Sequence, residues 1–89
     1  MMCQAEATYF NDVLYMHGYG SSWPYGYLTV RFEAYRSGDN YPFWADQYEY
    51  LDTSFNKHQQ LWCSGPPFIF RVQCWGPYST YDSDSDLAW

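Results

Sequence analysis

Positive charge is the scarcest ingredient of this sequence. One Lys and three Arg, at Arg31, Arg36, Lys57 and Arg71, stand against ten acidic residues in 89, a net charge of −6. The four cations are scattered, so no basic stripe is available to neutralise phosphates, and direct nucleic-acid binding is excluded as an expectation. Long apolar runs are missing too, which removes a membrane span from the expectation. The start, Met1-Met2-Cys3-Gln4-Ala5-Glu6, lacks a basic segment followed by an apolar one. That pattern predicts no leader and an intact cytoplasmic product, in the host cytoplasm if the protein is viral. Aliphatic residues are few, with Ile, Leu and Val together numbering nine.

Aromatic residues fill the gap. Phe, Trp and Tyr make up 25% of the chain, and 11 of them are Tyr. Such rings offer large apolar area together with hydroxyls that need partners. The chain is long enough for one modest core, with about 64% of the extended surface buried by size scaling.

The cysteines are Cys3, Cys63 and Cys74. In an oxidising compartment Cys63 and Cys74 can close one loop and leave Cys3 spare. In a cytosol all three are reduced thiols, the reading we adopt here. A zinc site drawn from His58, Cys63, Cys74 and either His17 or Cys3 lacks the tight ligand pairs of known zinc modules, so no metal and no cofactor is expected.

Alternation marks strands at Tyr9–His17, Tyr27–Arg36 and Phe68–Trp75. Leu28, Val30, Phe32, Phe68, Phe70 and Val72 supply the core faces, and Arg31 and Glu33 point to solvent. Residues 18–26, rich in Gly, Ser and aromatics, read as a loop. Between Pro42 and Trp62, the stripe Trp44, Tyr48, Leu51, Phe55, His58 and Trp62 has helical spacing and predicts one helix. The competing reading of this segment is a hairpin turning near Asp52 to Asn56. The expected fold class is therefore α+β: a small antiparallel sheet of three to four strands with one helix packed on a face. The alternative is an all-β sandwich or small barrel. Residues 1–78 form the expected compact domain, and 79–89 an acidic C-terminal tail.

Asp82, Asp84 and Asp86 resemble the start of a calcium loop, but Leu87 stands where that loop needs Gly. In an extended chain the three carboxylates form a ladder on one face, suited to Arg and Lys side chains that normally hold phosphates. Leu87 and Trp89 add an apolar anchor beside it. No catalytic pattern selects Cys63 with a His, or a pair from Glu33, Asp46 and Glu49, so no enzymatic activity is expected. Tyr19, Trp23, Tyr25 and Tyr27 form an aromatic loop of the composition that dominates protein interfaces.

These features predict a binding protein that occludes a basic, nucleic-acid-handling surface of a larger protein. Tyr19, Trp23, Tyr25, Tyr27, Asp82, Asp84, Asp86 and Trp89 would make the contacts. In size and charge alone the chain resembles phage-encoded inhibitors of bacterial defence, anti-CRISPR proteins among them. A secreted carbohydrate-binding or adhesion module using the same aromatics is the alternative. A third reading is a structural subunit of a larger assembly; a homo-oligomer is compatible with any of the three.

Overall fold

A computed structural model describes all 89 residues as an all-β protein of seven strands. They are β1 (Met2–Phe10), β2 (Val13–Ser21), β3 (Leu28–Arg36), β4 (Trp44–Tyr50), β5 (Ser54–Trp62), β6 (Phe68–Trp75) and β7 (Tyr81–Ala88). Sheet A has the order β1-β2-β5 and sheet B the order β4-β3-β6-β7, with antiparallel pairing throughout. The α+β expectation with one helix is thus overturned, and the all-β alternative describes the architecture.

The expected helix over 42–62 is two strands joined by a turn at 51–53. Its apparent stripe divides three ways. Trp44, Tyr48 and Phe55 pack at the core, His58 and Trp62 lie on the opposite face of β5, and Leu51 is exposed in the turn. Spacings of three and four residues can mimic a helix when a turn resets the phase of a two-residue alternation. The chain does reverse near Asp52, as the hairpin reading has it, but β4 and β5 enter different sheets and do not pair. Only side chains link them: Tyr50 stacks on Phe55 at 5.6 Å, and the Lys57 Nζ lies 4.7 Å over the Tyr48 ring.

The single strand expected at Tyr9–His17 contains a hairpin turn. Asn11 and Asp12 have φ of 51° and 63° and join Phe10 to Val13, which are paired. Two residues at positive φ match the twist of the flanking strands, and Asn and Asp tolerate that conformation best after Gly. The loop expected from residue 18 is also strand as far as Ser21. Gly18 faces inward by the alternation of β2, against the Phe32 ring, where any Cβ would collide. Gly20 does so under the backbone of Met2.

The core between the sheets contains Leu28, Val30, Phe32, Phe68, Phe70 and Val72, all fully buried as expected, joined by Leu14, Met16 and Cys74. Edge-to-face contacts of Phe32 with Phe70 and Tyr48 add directional packing. Cys3 on β1 is bonded to Cys74 on β6, with Cα atoms 6.2 Å apart, so the disulfide crosses the core between the sheets. Neither cysteine expectation, three thiols or a Cys63–Cys74 loop, matches this pairing. Cys63 is free and half-buried.

Residues of the expected tail form β7, which pairs with β6 along its length. Asp82, Asp84 and Asp86 turn toward β1. Their Oδ2 atoms accept the backbone N–H groups of Cys3, Ala5 and Ala7 at 2.9, 2.9 and 2.8 Å. Both strands advance about 6.7 Å per two residues, so every rung of the ladder is in step. A carboxylate row takes the place of a paired strand and covers the edge of β1.

Candidate functional site

Glu33 lies on the outer face of sheet B but is only 6% exposed, which corrects its expected solvent position. The Arg31 Nε and Arg71 Nη1 atoms lie 3.4 and 3.8 Å from its two carboxylate oxygens. With the Gln73 amide in its alternative orientation, the Gln73 nitrogen donates to Glu33 at 2.9 Å and its oxygen accepts from Tyr81. Two of the four cations are thereby committed to an internal carboxylate.

The outer face of sheet A is different. Strand register sets its side chains in rows: Gln4–Tyr19–Asn56, Glu6–His17–His58, Thr8–Tyr15–Gln60 and Phe10–Val13–Trp62. No Lys or Arg occurs among them, since Lys57, the one cation of these strands, belongs to the inward row with Phe55 and Leu61. At one end Phe10 and Trp62 are 67% and 83% exposed. They flank Val13, which is buried even though it faces outward.

The middle rows are a hydrogen-bonded array. The Tyr19 hydroxyl donates to Glu6 Oε1 at 3.2 Å. The His17 Nδ1 lies 3.3 Å from Glu6 Oε2, and its Nε2 lies 2.7 Å from Asn56 Oδ1. The His58 ring stacks on His17 at 4.0 Å, with planes 6° apart. Desolvation first, then the Glu6 carboxylate, push the Tyr19 phenol up, so it stays a protonated donor. Glu6, Thr8, Tyr15, His17 and His58 line a shallow depression of about 230 Å³. His17, His58 and Glu6 are near neighbours, yet no group of three His, Cys, Asp or Glu side chains converges as metal ligands do.

The residues singled out from the sequence do not form one site. Tyr19 belongs to the array just described. Trp23, Tyr25 and Tyr27 lie in the loop after β2, at the end of the sandwich where β1 begins. There the Tyr25 ring meets Tyr78 at 5.3 Å, and Ser22 N–H bonds to Thr53 C=O. Three connections thus form a tip on which Trp23 and Tyr78 are 75% and 83% exposed. Trp89 follows β7 at the opposite end, beyond the Phe68–Ala88 pair. Asp82, Asp84 and Asp86 lie in the seam with β1, half-buried, each with one oxygen engaged by β1, and Asp86 accepts the Leu87 N–H at 3.0 Å through its other oxygen. Burial pushes the Cys63 thiol up, which opposes the thiolate a nucleophile requires.

The chain matches no known protein family, no curated protein and no solved structure. The geometry alone carries the functional argument. Phe10, Tyr15, Trp62 and the His17–His58 pair were the residues that sequence reasoning missed as a group. Their signal was the alternation Val13, Tyr15, His17, Tyr19, which becomes visible once Asn11-Asp12 is taken as a turn.

Proposed function

We propose that the protein is a non-enzymatic recognition module that binds an uncharged, hydroxyl-rich chain, of which a neutral glycan is the natural class, on the outer face of sheet A. The observation that carries this reading is the pairing of exposed rings with amide, imidazole and carboxylate groups on a sheet face free of Lys and Arg. Sugar rings present flat C–H faces that stack on Trp and Tyr. Their hydroxyls both donate and accept, which suits Gln4, Glu6, Asn56 and Gln60 side by side. A face without Lys or Arg offers no permanent cation to phosphate or sulfate. The shallow depression suits a ligand that lies along a surface rather than one enclosed for catalysis.

The core-spanning Cys3–Cys74 disulfide supports an oxidising compartment, where such bonds persist. It thereby favours the secreted alternative over a cytoplasmic one. Occlusion of a basic protein surface retains the Trp23 tip and the net negative charge as support. Its phosphate-mimicking ladder is weakened, because Asp82, Asp84 and Asp86 each use an oxygen to hold β1.

Affinity electrophoresis through gels containing xylan, mannan, mixed-linkage β-glucan or hydroxyethyl cellulose, with polygalacturonate as the anionic comparison, tests the proposal. Retardation by at least one neutral polymer is expected, nearly independent of salt. It should weaken roughly tenfold, or about 1.4 kcal/mol, in Trp62→Ala. Retardation only by polygalacturonate, or by none of the polymers, would overturn the reading. Capture of a basic protein that is lost in high salt and in Trp23→Ala would favour occlusion instead.

A further inference from the structure

We infer that the protein pairs with a second copy of itself through the free edge of β5, continuing sheet A across a two-fold axis. This inference does not depend on which ligand the outer face takes. The backbone directions follow from the carboxylate ladder. Cys3, Ala5 and Ala7 point their N–H groups at Asp82, Asp84 and Asp86, so the even-numbered residues of β1 carry the bonds to β2. Through the registers Glu6↔His17 and Met16↔Gln59, the inward-facing residues of β5 bond to β2. Two bonds agree: Thr53 C=O and Cys63 N–H, both odd-numbered, point to Ser22 and Asp12 on the β2 side. Ser54, Asn56, His58, Gln60 and Trp62 therefore direct their N–H and C=O groups outward, and no strand of this chain meets them.

Besides β1, whose edge the Asp row covers, the edge strands are β4, β5 and β7, and β7 itself lies against β1. Two copies of a chain with a net charge of −6 repel one another. β4 adds Asp46 and Glu49 to that repulsion, and β7 adds its three Asp residues, whereas β5 has no acidic residue from 54 to 62. β5 is also nine residues long and free of Pro, the usual guard of an open edge.

An antiparallel pair centred on His58 is self-complementary. His58 faces His58 of the second copy, Asn56 faces Gln60, and Ser54 faces Trp62, all pairs whose backbone groups point at each other. Between them on the inner face, Phe55 meets Leu61 and Lys57 meets the Gln59 amide, so no like charges oppose. The interface is isologous, as a closed dimer requires. It merges the two outer faces into one six-stranded surface, with the two rows of Glu6, His17 and His58 meeting at the axis.

Light scattering coupled to gel filtration, across a dilution series, tests the dimer. The expected mass is twice the 10.6 kDa of the chain, falling to one copy in Gln60→Pro. That substitution removes a free-edge N–H and leaves the bonds to β2 intact. Because a proline variant can lose structure, a second arm uses His58→Cys in a Cys63→Ser background. Residues facing one another in a hydrogen-bonded antiparallel pair have Cα atoms about 5.5 Å apart, within disulfide reach. His58→Cys should form a reducible covalent dimer under mild oxidation, at least tenfold faster than Asn56→Cys in the same background. A monomeric mass at every concentration, a dimer unaffected by Gln60→Pro in a folded protein, or equal cross-linking of the two cysteine variants would overturn the inference.

Discussion

The Asp84 carboxylate accepts the Ala5 backbone N–H at 2.9 Å, the middle rung of a seam between the C-terminal strand and the N-terminal one. Asp84→Ala removes the acceptor and leaves a half-buried donor unpaired. The expected loss in urea unfolding is about 1–3 kcal/mol, the range for leaving a buried donor without its acceptor. Asp84→Asn retains an oxygen acceptor and should lose less than half as much. Equal losses in the two variants would mean that charge, rather than the acceptor, holds the seam.

The disulfide closes a separation of 71 residues. Chain-entropy reasoning assigns such a cross-link about 4 kcal/mol, a large share of the stability of a domain this small. Reduction, or Cys3→Ala with Cys74→Ala, should lower the urea midpoint by the corresponding amount. Titration of the denatured, unreduced protein should find one thiol, Cys63. Three thiols in protein recovered from its native compartment would contradict the oxidised assignment.

The Tyr48 hydroxyl is buried without a hydrogen-bond partner. Burial first, then the nearby Asp46 carboxylate, push its phenol up to about 12. An acid whose folded value exceeds the unfolded value of 10 favours the folded state while it stays protonated. Its contribution is complete below pH 10 and is lost as pH rises from 10 to about 12. Tyr9, Tyr19, Tyr35 and Tyr50 are also pushed up, each chiefly by desolvation, and act in the same sense. Tyr48→Phe should therefore flatten the alkaline limb of the stability profile. At neutral pH it should raise stability by up to ~1 kcal/mol by deleting an unsatisfied polar atom. Unchanged alkaline unfolding would count against the buried phenol.

Gly18 is a packing residue, not a hinge. An added Cβ meets two atoms of the Phe32 ring at 2.5 Å, in a core where Phe32 is fully buried. Gly18→Ala is expected to cost about 1–3 kcal/mol, the range for overpacking. Gly26, with open space around it, should accept Ala at little cost. Thermal melts of the two variants make the comparison.

Strands with one clean alternation were legible from residues alone. Leu28, Val30, Phe32, Phe68, Phe70 and Val72 occupy the core as their spacing implies, because two-residue alternation reports burial directly. What stayed hidden depends on partners far along the chain. Gly18 and Gly20 look like loop residues until Phe32, Phe55 and Met2 are brought beside them. Cys3 finds Cys74 only through the packing of β1 on β6. The Asp ladder was visible as a ladder, but its acceptors face N–H groups 79 residues away, and local pattern cannot supply such a partner. The site was legible only in part for the same reason. Tyr19 was singled out, but its neighbours Glu6 and Asn56 come from β1 and β5, in one case across a turn that was read as continuous strand.

Backbone amide mapping by NMR, during titration with a neutral oligosaccharide from the polymer that retards the protein most, tests the central claim most directly. Shifts are expected at Glu6, Thr8, Tyr15, His17, His58 and Gln60, with the loops at 22–27 and 76–80 unmoved. Shifts confined to those loops, or none with any neutral oligosaccharide of the panel, would contradict the assignment of the outer face of sheet A as the binding surface.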